Sequence, residues 1–242
     1  MAVPVLSRFP DVMLLAAGLG TRLRPLTVSI PKPLVPVAGV KLIDRVIDNA
    51  QAEGATRFVI NIHHHPDQML AHMETLRAQG LNIAVSDERE TLLDTGGGVR
   101  KALPLLEDDP ILVMNTDAFW IAGADRPIAR MLERMTPETE IMLLCVQPRR
   151  AIGFRRSHDF CLDPRGTITT DTGAPVIYAG VAVIRRACLE AEGDGTFSLN
   201  RVFETVLHRG TLGGVVLDAP WLHVGDPEAL RQAEAELGAL PE

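Results

Sequence analysis

Small and cationic residues gather in one short stretch, Leu15-Ala16-Ala17-Gly18-Leu19-Gly20-Thr21-Arg22-Leu23-Arg24-Pro25-Leu26-Thr27, and Pro31-Lys32-Pro33-Leu34 follows closely. Small residues let a backbone approach a ligand and aim consecutive N–H groups at it, while Arg22, Arg24 and Lys32 bring positive charge. Together they suit a polyphosphate. Prolines on both sides of Lys32 restrict the local backbone and lower the entropy lost in presenting its ammonium, which makes it a positioned cation. Farther on, Asn115-Thr116-Asp117 closes an apolar run. That is the edge where open α/β sheets place ligands, although an acid there also commonly caps a helix or forms a turn.

Two well-known phosphate loops do not match this stretch. A dinucleotide fingerprint needs glycine where Leu23 stands, and the next strand ends in Asn61-Ile62-His63 without an acid for the ribose. A Walker loop needs G-x-x-x-x-G-K-[ST], which neither the first loop nor Gly96-Gly97-Gly98 supplies.

The elements that must carry these residues alternate. A continuous apolar run over residues 12–16 reads as a strand buried on both faces. Between residues 41 and 53, Leu42, Ile43, Val46, Ile47 and Ala50 fall at helical spacing, with Gly54 as the stop. The pattern continues with a strand over 58–62, a helix over 67–79, a strand over 82–85, a short helix over 99–106 and a strand over 111–114. Such alternation predicts parallel strands joined by right-handed helical crossovers. After a strand at 141–146 the character changes. Residues 159–162 and 167–170 flank Asp163-Pro164-Arg165-Gly166, a hairpin turn, and a strand over 176–184 follows. Amphipathic segments surround Phe203 and Leu237, and residues 212–217 form the last strand. The reading is one α/β domain over 1–242, its two halves meeting at about residue 117.

The 242 residues are 46% hydrophobic and 23% charged, enough apolar surface for a folded core. A net charge of -7 and only 4% aromatic residues exclude a nonspecific grip on nucleic acid, which needs a positive field or stacking rings. Three cysteines without CxxC spacing fit a reducing, cytoplasmic compartment rather than a disulfide framework or a zinc ribbon. The apolar run near the start is too short to cross a bilayer, so no membrane role is expected.

The first loop resembles that of the sugar-1-phosphate nucleotidylyltransferases, whose L-A-A-G-x-G-T-R-L-x-P-L-T signature and following P-K-P are matched by residues 15–27 and 31–33. The resemblance extends to residues 34–39, 94–99, 111–117, 178–181 and 221–227. The run from Thr95 to Leu106 is most similar to the N-acetylmuramate α-1-phosphate uridylyltransferases of cell-wall recycling, with the mannose-1-phosphate guanylyltransferases second. This implies a Rossmann-like three-layer α/β/α sandwich with a mostly parallel mixed sheet, the fold of nucleotide-diphospho-sugar transferases. It also implies transfer of a nucleotide to a sugar 1-phosphate, giving an NDP-sugar and pyrophosphate. The partners are a nucleoside triphosphate and a sugar 1-phosphate, in a monomer or small homo-oligomer. A regulatory protein that binds a nucleotide sugar without turning it over is the reading from another class.

By the same resemblance, Ala16, Ala17 and Gly18 lie against the nucleotide, Gly20, Thr21 and Arg22 surround its phosphates, and Lys32 sits near the α-phosphate. Arg22, Lys32 and Asp117 are the catalytic candidates, and Asp117 matches a magnesium ligand. Gly96 and Gly97 occupy a loop that reads the base through its backbone, and Asn115, Asp159 and Gly180 face the sugar. Asp159 has the alternative of pairing with Arg155 or Arg156. The chain departs from the family at Trp221-Leu222-His223-Val224-Gly225, where W-x-D-V-G supplies a second metal-binding aspartate. Imidazole suits manganese better than magnesium, so His223 is either a ligand that admits manganese or a hydrogen-bonding histidine beside a one-acid site. Of His63-His64-His65, only His63 and His65 share a face of an extended strand, and a loop role beside the nucleotide is the expectation. Arg149-Arg150 and Arg155-Arg156 read as a solvated basic face or an attractor of an anionic sugar.

Overall fold

The structure, a computed structural model, describes residues 9–239. In chain order its strands are β1 (Val12–Leu15), β2 (Pro36–Val37), β3 (Val40–Lys41), β4 (Arg57–Ile62), β5 (Asn82–Asp87), β6 (Ile111–Asn115), β7 (Ala118–Trp120), β8 (Ile141–Val146), β9 (Ala151–Ile152), β10 (Phe160–Leu162), β11 (Ile168–Thr169), β12 (Ala174–Ile184), β13 (Leu212–Val216) and β14 (Trp221–His223). The helices are α1 (Leu42–Gln51), α2 (Pro66–Ala78), α3 (Asp94–Ala102), α4 (Pro127–Arg134), α5 (Arg186–Glu190), α6 (Leu199–Arg209) and α7 (Pro227–Gly238).

The central sheet is mixed. Strands β5, β4, β1 and β6 run parallel, with Val12 opposite Phe58 on one side and Leu112 on the other. The long β12 then runs antiparallel between β6 and β8, and β13 lies parallel to β8. Because side chains alternate along a strand, each central strand feeds both faces. Val12 and Leu14 join a core with α1, α2 and α4, through residues such as Val46, Met73 and Met131. Met13 and Val113 point the other way, to α3, α5 and α6 through Val99, Leu189 and Phe203. The result is the expected three-layer α/β arrangement, with sheet residues buried on both sides.

The helix ends follow local chemistry. Ser198 caps α6 by accepting from the Asn200 N–H at 3.2 Å, and Gly210 closes that helix at φ 71°. Asp226 caps α7 by accepting from the Glu228 and Ala229 N–H groups, with Pro227 at the first position, where its missing N–H is harmless. The hairpin around Asp163 is present as β10 and β11.

Two expectations change. Helix α3 starts at Asp94, five residues before the expected start, because the Phe197 carbonyl and close packing hold a glycine run that has poor intrinsic helicity. The strand at 212–216 is not the last, since β14 follows and pairs with β7 and β9 in a small separate sheet. His63-His64-His65 lies, as expected, in a loop that follows β4 after Ile62. Its ring nitrogens meet the backbone carbonyls of Glu88, Thr27 and Val28, so the tract ties three loops together. Among the described residues no helix is long and apolar enough to cross a membrane.

Candidate active site

A cavity of about 550 Å³ opens at the carboxyl ends of β1, β4 and β6. Ala16, Ala17, Gly18, Gly20, Thr21, Arg22, Lys32, Asn115 and Asp117 of the expected residues line it. They are joined by Asn61, Leu92, Asp94, Thr95, Thr116, Thr196 and Gly225, which the sequence reading did not single out as site residues.

The loop after β1 is shaped by its own backbone. Gly20 takes a left-handed φ of 63°, its carbonyl accepts from Leu23 N at 2.9 Å and from Thr27 Oγ1 at 2.7 Å, and a Cβ there would lie 3.0 Å from both Lys32 Cβ and Thr27 Cγ2. Glycine is therefore what lets the Lys32 turn pack against the loop. Pro31 and Pro33 begin a short 3-10 turn in which Leu34 N donates to the Pro31 carbonyl. From that turn Lys32 Nζ reaches Asp117 Oδ2 at 2.7 Å, the two side chains being 13% and 25% exposed.

Asp117 leaves β6 after Thr116, whose hydroxyl donates to the Leu15 carbonyl and so ties the ends of β1 and β6 together. Its own carbonyl accepts from Val224 N at 2.8 Å, which brings β14 alongside. Burial pushes the Asp117 carboxyl up, but the Lys32 ammonium and His223 outweigh it and hold the group far below the usual carboxylate range. The ion pair with Lys32 thus favours the anionic form of Asp117.

His223 stacks on Trp221 at a centroid distance of 5.8 Å, with the Phe154 ring edge-on at 6.0 Å. Its Nδ1 lies 3.4 Å from the Gly153 carbonyl, which can only accept, and its Nε2 lies 3.7 Å from Asp117 Oδ2. Gly225 is required by this ring, since a Cβ there would come within 2.6 Å of Cε1. Nε2 is thus the atom that meets Asp117 when the ring is protonated, and in the neutral ring with its proton on Nδ1 the same atom could offer its lone pair to a cation shared with the carboxylate. Among the described residues no set of three or more His, Cys, Asp or Glu side chains converges. Asp117 and His223 alone are too few to hold a divalent ion, and could do so only with further oxygen ligands such as phosphate and water.

Other expected residues stand elsewhere. Gly96 and Gly97 are buried in the first turn of α3, and their N–H groups donate to the Phe197 carbonyl at 2.9 and 3.0 Å. A Cβ on Gly96 would meet the Phe197 ring at 2.4 Å and one on Gly97 the Gly195 carbonyl at 2.2 Å, so these glycines serve helix packing. Leu92, Asp94 and Thr95 form that wall of the cavity instead. Asp159 lies outside the cavity lining, with Arg156 at 2.7 Å and the Tyr178 N–H donating to it at 3.0 Å. Gly180 sits at the β12 bulge with φ 80°, and a Cβ would be 3.2 Å from the Asn115 Cβ and Nδ2, so it makes room for Asn115 rather than lining the cavity. The basic face is largely paired, Arg150 with Asp218, Arg155 with Asp226 and Arg156 with Asp159.

What such a site can hold is a phosphorylated ligand, in a fold that opens its carboxyl edge to nucleotides. The chain belongs to the nucleotidyl transferase family, matched over residues 11–154. It is 38% identical to the N-acetylmuramate alpha-1-phosphate uridylyltransferase of Caulobacter vibrioides, over 96% of this chain and 99% of that one. It is 30% identical to the mannose-1-phosphate guanylyltransferase of Mycobacterium tuberculosis, over 94% of this chain and 64% of that longer one. Among solved structures, HddC from Yersinia pseudotuberculosis complexed with GMP-PN superposes with a TM-score of 0.75 at 20% identity, covering 95% of this chain and 100% of that chain, a likeness of fold.

Gly180→Ala adds a methyl group in left-handed backbone against Asn115, and the strain is about 1–2 kcal/mol. Chemical denaturation is expected to show that loss, and a crystal structure of the variant to show the Asn115 carboxamide displaced.

Proposed function

We propose that this chain transfers the nucleotidyl group of a nucleoside triphosphate to a sugar 1-phosphate, with UTP and N-acetylmuramate α-1-phosphate as the pair, in cytoplasmic cell-wall recycling. The observation that carries the reading is the apposition of Lys32 and Asp117 across a glycine-turned cradle. The near full-length likeness to a uridylyltransferase supports the choice of substrates.

An oxygen of the sugar phosphate attacks the α-phosphorus, the bond from that phosphorus to the bridging oxygen breaks, and pyrophosphate leaves with the electron pair. The nucleophile is already an anion, so neither a serine nucleophile nor a strong general base is required. What the protein must supply is alignment and charge. The loop from Ala16 to Arg22 surrounds the triphosphate, with the Arg22 guanidinium over its outer phosphates. Lys32 turns from Asp117 to the α-phosphate and the incoming phosphate, where charge accumulates in the transition state. Asn115, placed by Gly180, faces the sugar, and Asp159 acts from behind through the Tyr178 backbone. Asp117 and His223 would hold a divalent cation, magnesium or manganese, which when bound screens the phosphate charges. The mannose-1-phosphate guanylyltransferase reading draws on the more distant relative, and the non-catalytic reading on histidine in place of the expected aspartate.

Four triphosphates assayed for pyrophosphate release against muramate-, glucosamine-, glucose- and mannose-type 1-phosphates test the reaction. UTP with the muramate substrate is expected to be fastest; preference for GTP with mannose 1-phosphate selects the alternative, and no release with any pair under Mg²⁺ or Mn²⁺ leaves binding without turnover. Lys32→Ala and Asp117→Asn are each expected to lower kcat by roughly 10²–10³ with an unchanged circular dichroism spectrum, the usual loss when a charge-stabilising group is removed. Near-normal turnover in either variant removes its assigned role. Metal titrations separate the two readings of His223. His223→Asp is expected to favour Mg²⁺ over Mn²⁺ relative to the parent chain and His223→Ala to weaken both, whereas unchanged metal dependence in the two variants makes His223 a structural hydrogen-bonding residue.

A further inference from the structure

Two buried polar side chains join opposite walls of the cavity. Asn61, 2% exposed, sits near the end of the otherwise apolar β4, and Glu88, 0% exposed, follows β5. The N–H groups of Ala16 and Ala17 converge on Asn61 Oδ1 at 2.6 and 3.3 Å, so that atom must be the acceptor. Asn61 Nδ2 is thereby free to donate, and it does so to Glu88 Oε1 at 2.7 Å. The other carboxylate oxygen, Oε2, accepts from Leu93 N at 3.1 Å. Among the described residues no cation pairs with Glu88.

The chemistry of this link is directional. Both of its ends are backbone N–H donors, one in the phosphate loop and one in the wall formed by Leu92, Asp94 and Thr95. Two donors can be bridged through a carboxamide only if the second side chain accepts at both of its atoms, which a carboxylate does and an amide does not. A carboxylate buried without a counter-cation is costly, and each hydrogen bond it accepts offsets part of that cost. Gly98 leaves the space, since a Cβ there would stand 2.7 Å from Glu88 Oε1 and 2.9 Å from Asn61 Nδ2.

We propose that Asn61 and Glu88 are positioning residues that set the spacing between the two walls gripping the nucleotide, by a one-way hydrogen-bond relay from the Ala16-Ala17 backbone to the Leu93 backbone. The relay takes up the first two N–H groups of the loop and leaves the segment beyond them to face the triphosphate. This inference rests on the nucleotide-binding reading of the cavity.

The donor and acceptor pattern can be broken and restored without changing atom count appreciably. Glu88→Gln sets an amide N–H against a donor. Asn61→Asp sets one carboxylate against another. In the double variant the new carboxylate at position 61 accepts from Ala16, from Ala17 and from the new amide at position 88, whose carbonyl accepts from Leu93, so every bond has a partner and the net charge is that of the parent. The experiment is calorimetric titration of UTP into the full chain with Mg²⁺, steady-state KM for both substrates, and thermal unfolding of each variant. Each single variant is expected to bind UTP roughly tenfold more weakly, about 1.4 kcal/mol, and the double variant to recover to within about threefold. In each single variant KM for UTP rises while KM for the sugar 1-phosphate stays within about twofold at a temperature where the variant is folded, a split that general loss of stability does not produce. Single variants that bind UTP like the parent overturn the proposal. So does a folded double variant that binds tenfold more weakly, whether or not the single variants fold. A parent chain that binds none of the four triphosphates overturns the nucleotide reading itself, and the relay with it.

Discussion

Lys32 and Asp117 stand 85 residues apart in the chain and meet at 2.7 Å, and the chemistry available to this fold depends on that meeting. Two phosphorylated reactants repel one another, so a site that joins them needs a cation that does not drift and an anion that can hold a second one. An ammonium on a mobile surface lysine pays entropy each time it is used. Here the proline-flanked 3-10 turn fixes the backbone of Lys32, the left-handed Gly20 lets that turn close on the loop, and the register of β1 with β6 places Asp117 opposite. The same ion pair holds Asp117 charged although most of it is buried.

From that pair the two parts of the chain become interdependent. β6 belongs to the parallel set from the first half, whereas β12, β8 and β13 extend the same sheet from the second half. The link across the site is made outside the sheet, where the Asp117 carbonyl accepts from Val224 and the small sheet of β7, β14 and β9 carries His223 to the carboxylate. Trp221 anchors that small sheet to β12 by donating to the Ala179 carbonyl at 3.0 Å, one residue before the bulge at Gly180. A ligand that draws on Asp117, Asn115 and His223 therefore touches two segments, the end of β6 and β14, whose relative placement is set largely by backbone hydrogen bonds.

Much of this was legible in the sequence, and what was not has physical causes. Continuous apolar runs marked β1, β4, β6 and β8 well because strands buried on both faces leave few other options. The loop after β1, which lines the cavity, was legible because glycine, arginine and proline-flanked lysine constrain one another locally. β14 and β7 were missed because three-residue strands have too little periodicity to register, and the start of α3 because its glycines oppose helix formation until Phe197 supplies a carbonyl to their N–H groups. Gly96 and Gly97 show a related limit: a glycine that admits a ligand and a glycine that admits a neighbouring ring are indistinguishable in sequence until the neighbour is known. Asp159 carried both of its readings in sequence, and the structure pairs it with Arg156.

Asn61 and Glu88 mark a different limit. Their signal was present, an asparagine interrupting Phe58-Val59-Ile60 and a glutamate closing the next strand, but polarity in one dimension does not say which donor meets which acceptor. In a low-dielectric interior that pairing decides the energy, because an unmatched group there loses its full hydration with nothing in return. The two side chains are compatible only in the order found, with amide oxygen toward the loop and amide nitrogen toward the carboxylate. A buried polar residue at the carboxyl end of a parallel strand is therefore best read as half of a pair. Here the second half lies at the end of the neighbouring strand, where Asn61 and Ser86 stand in register and Glu88 follows two residues later.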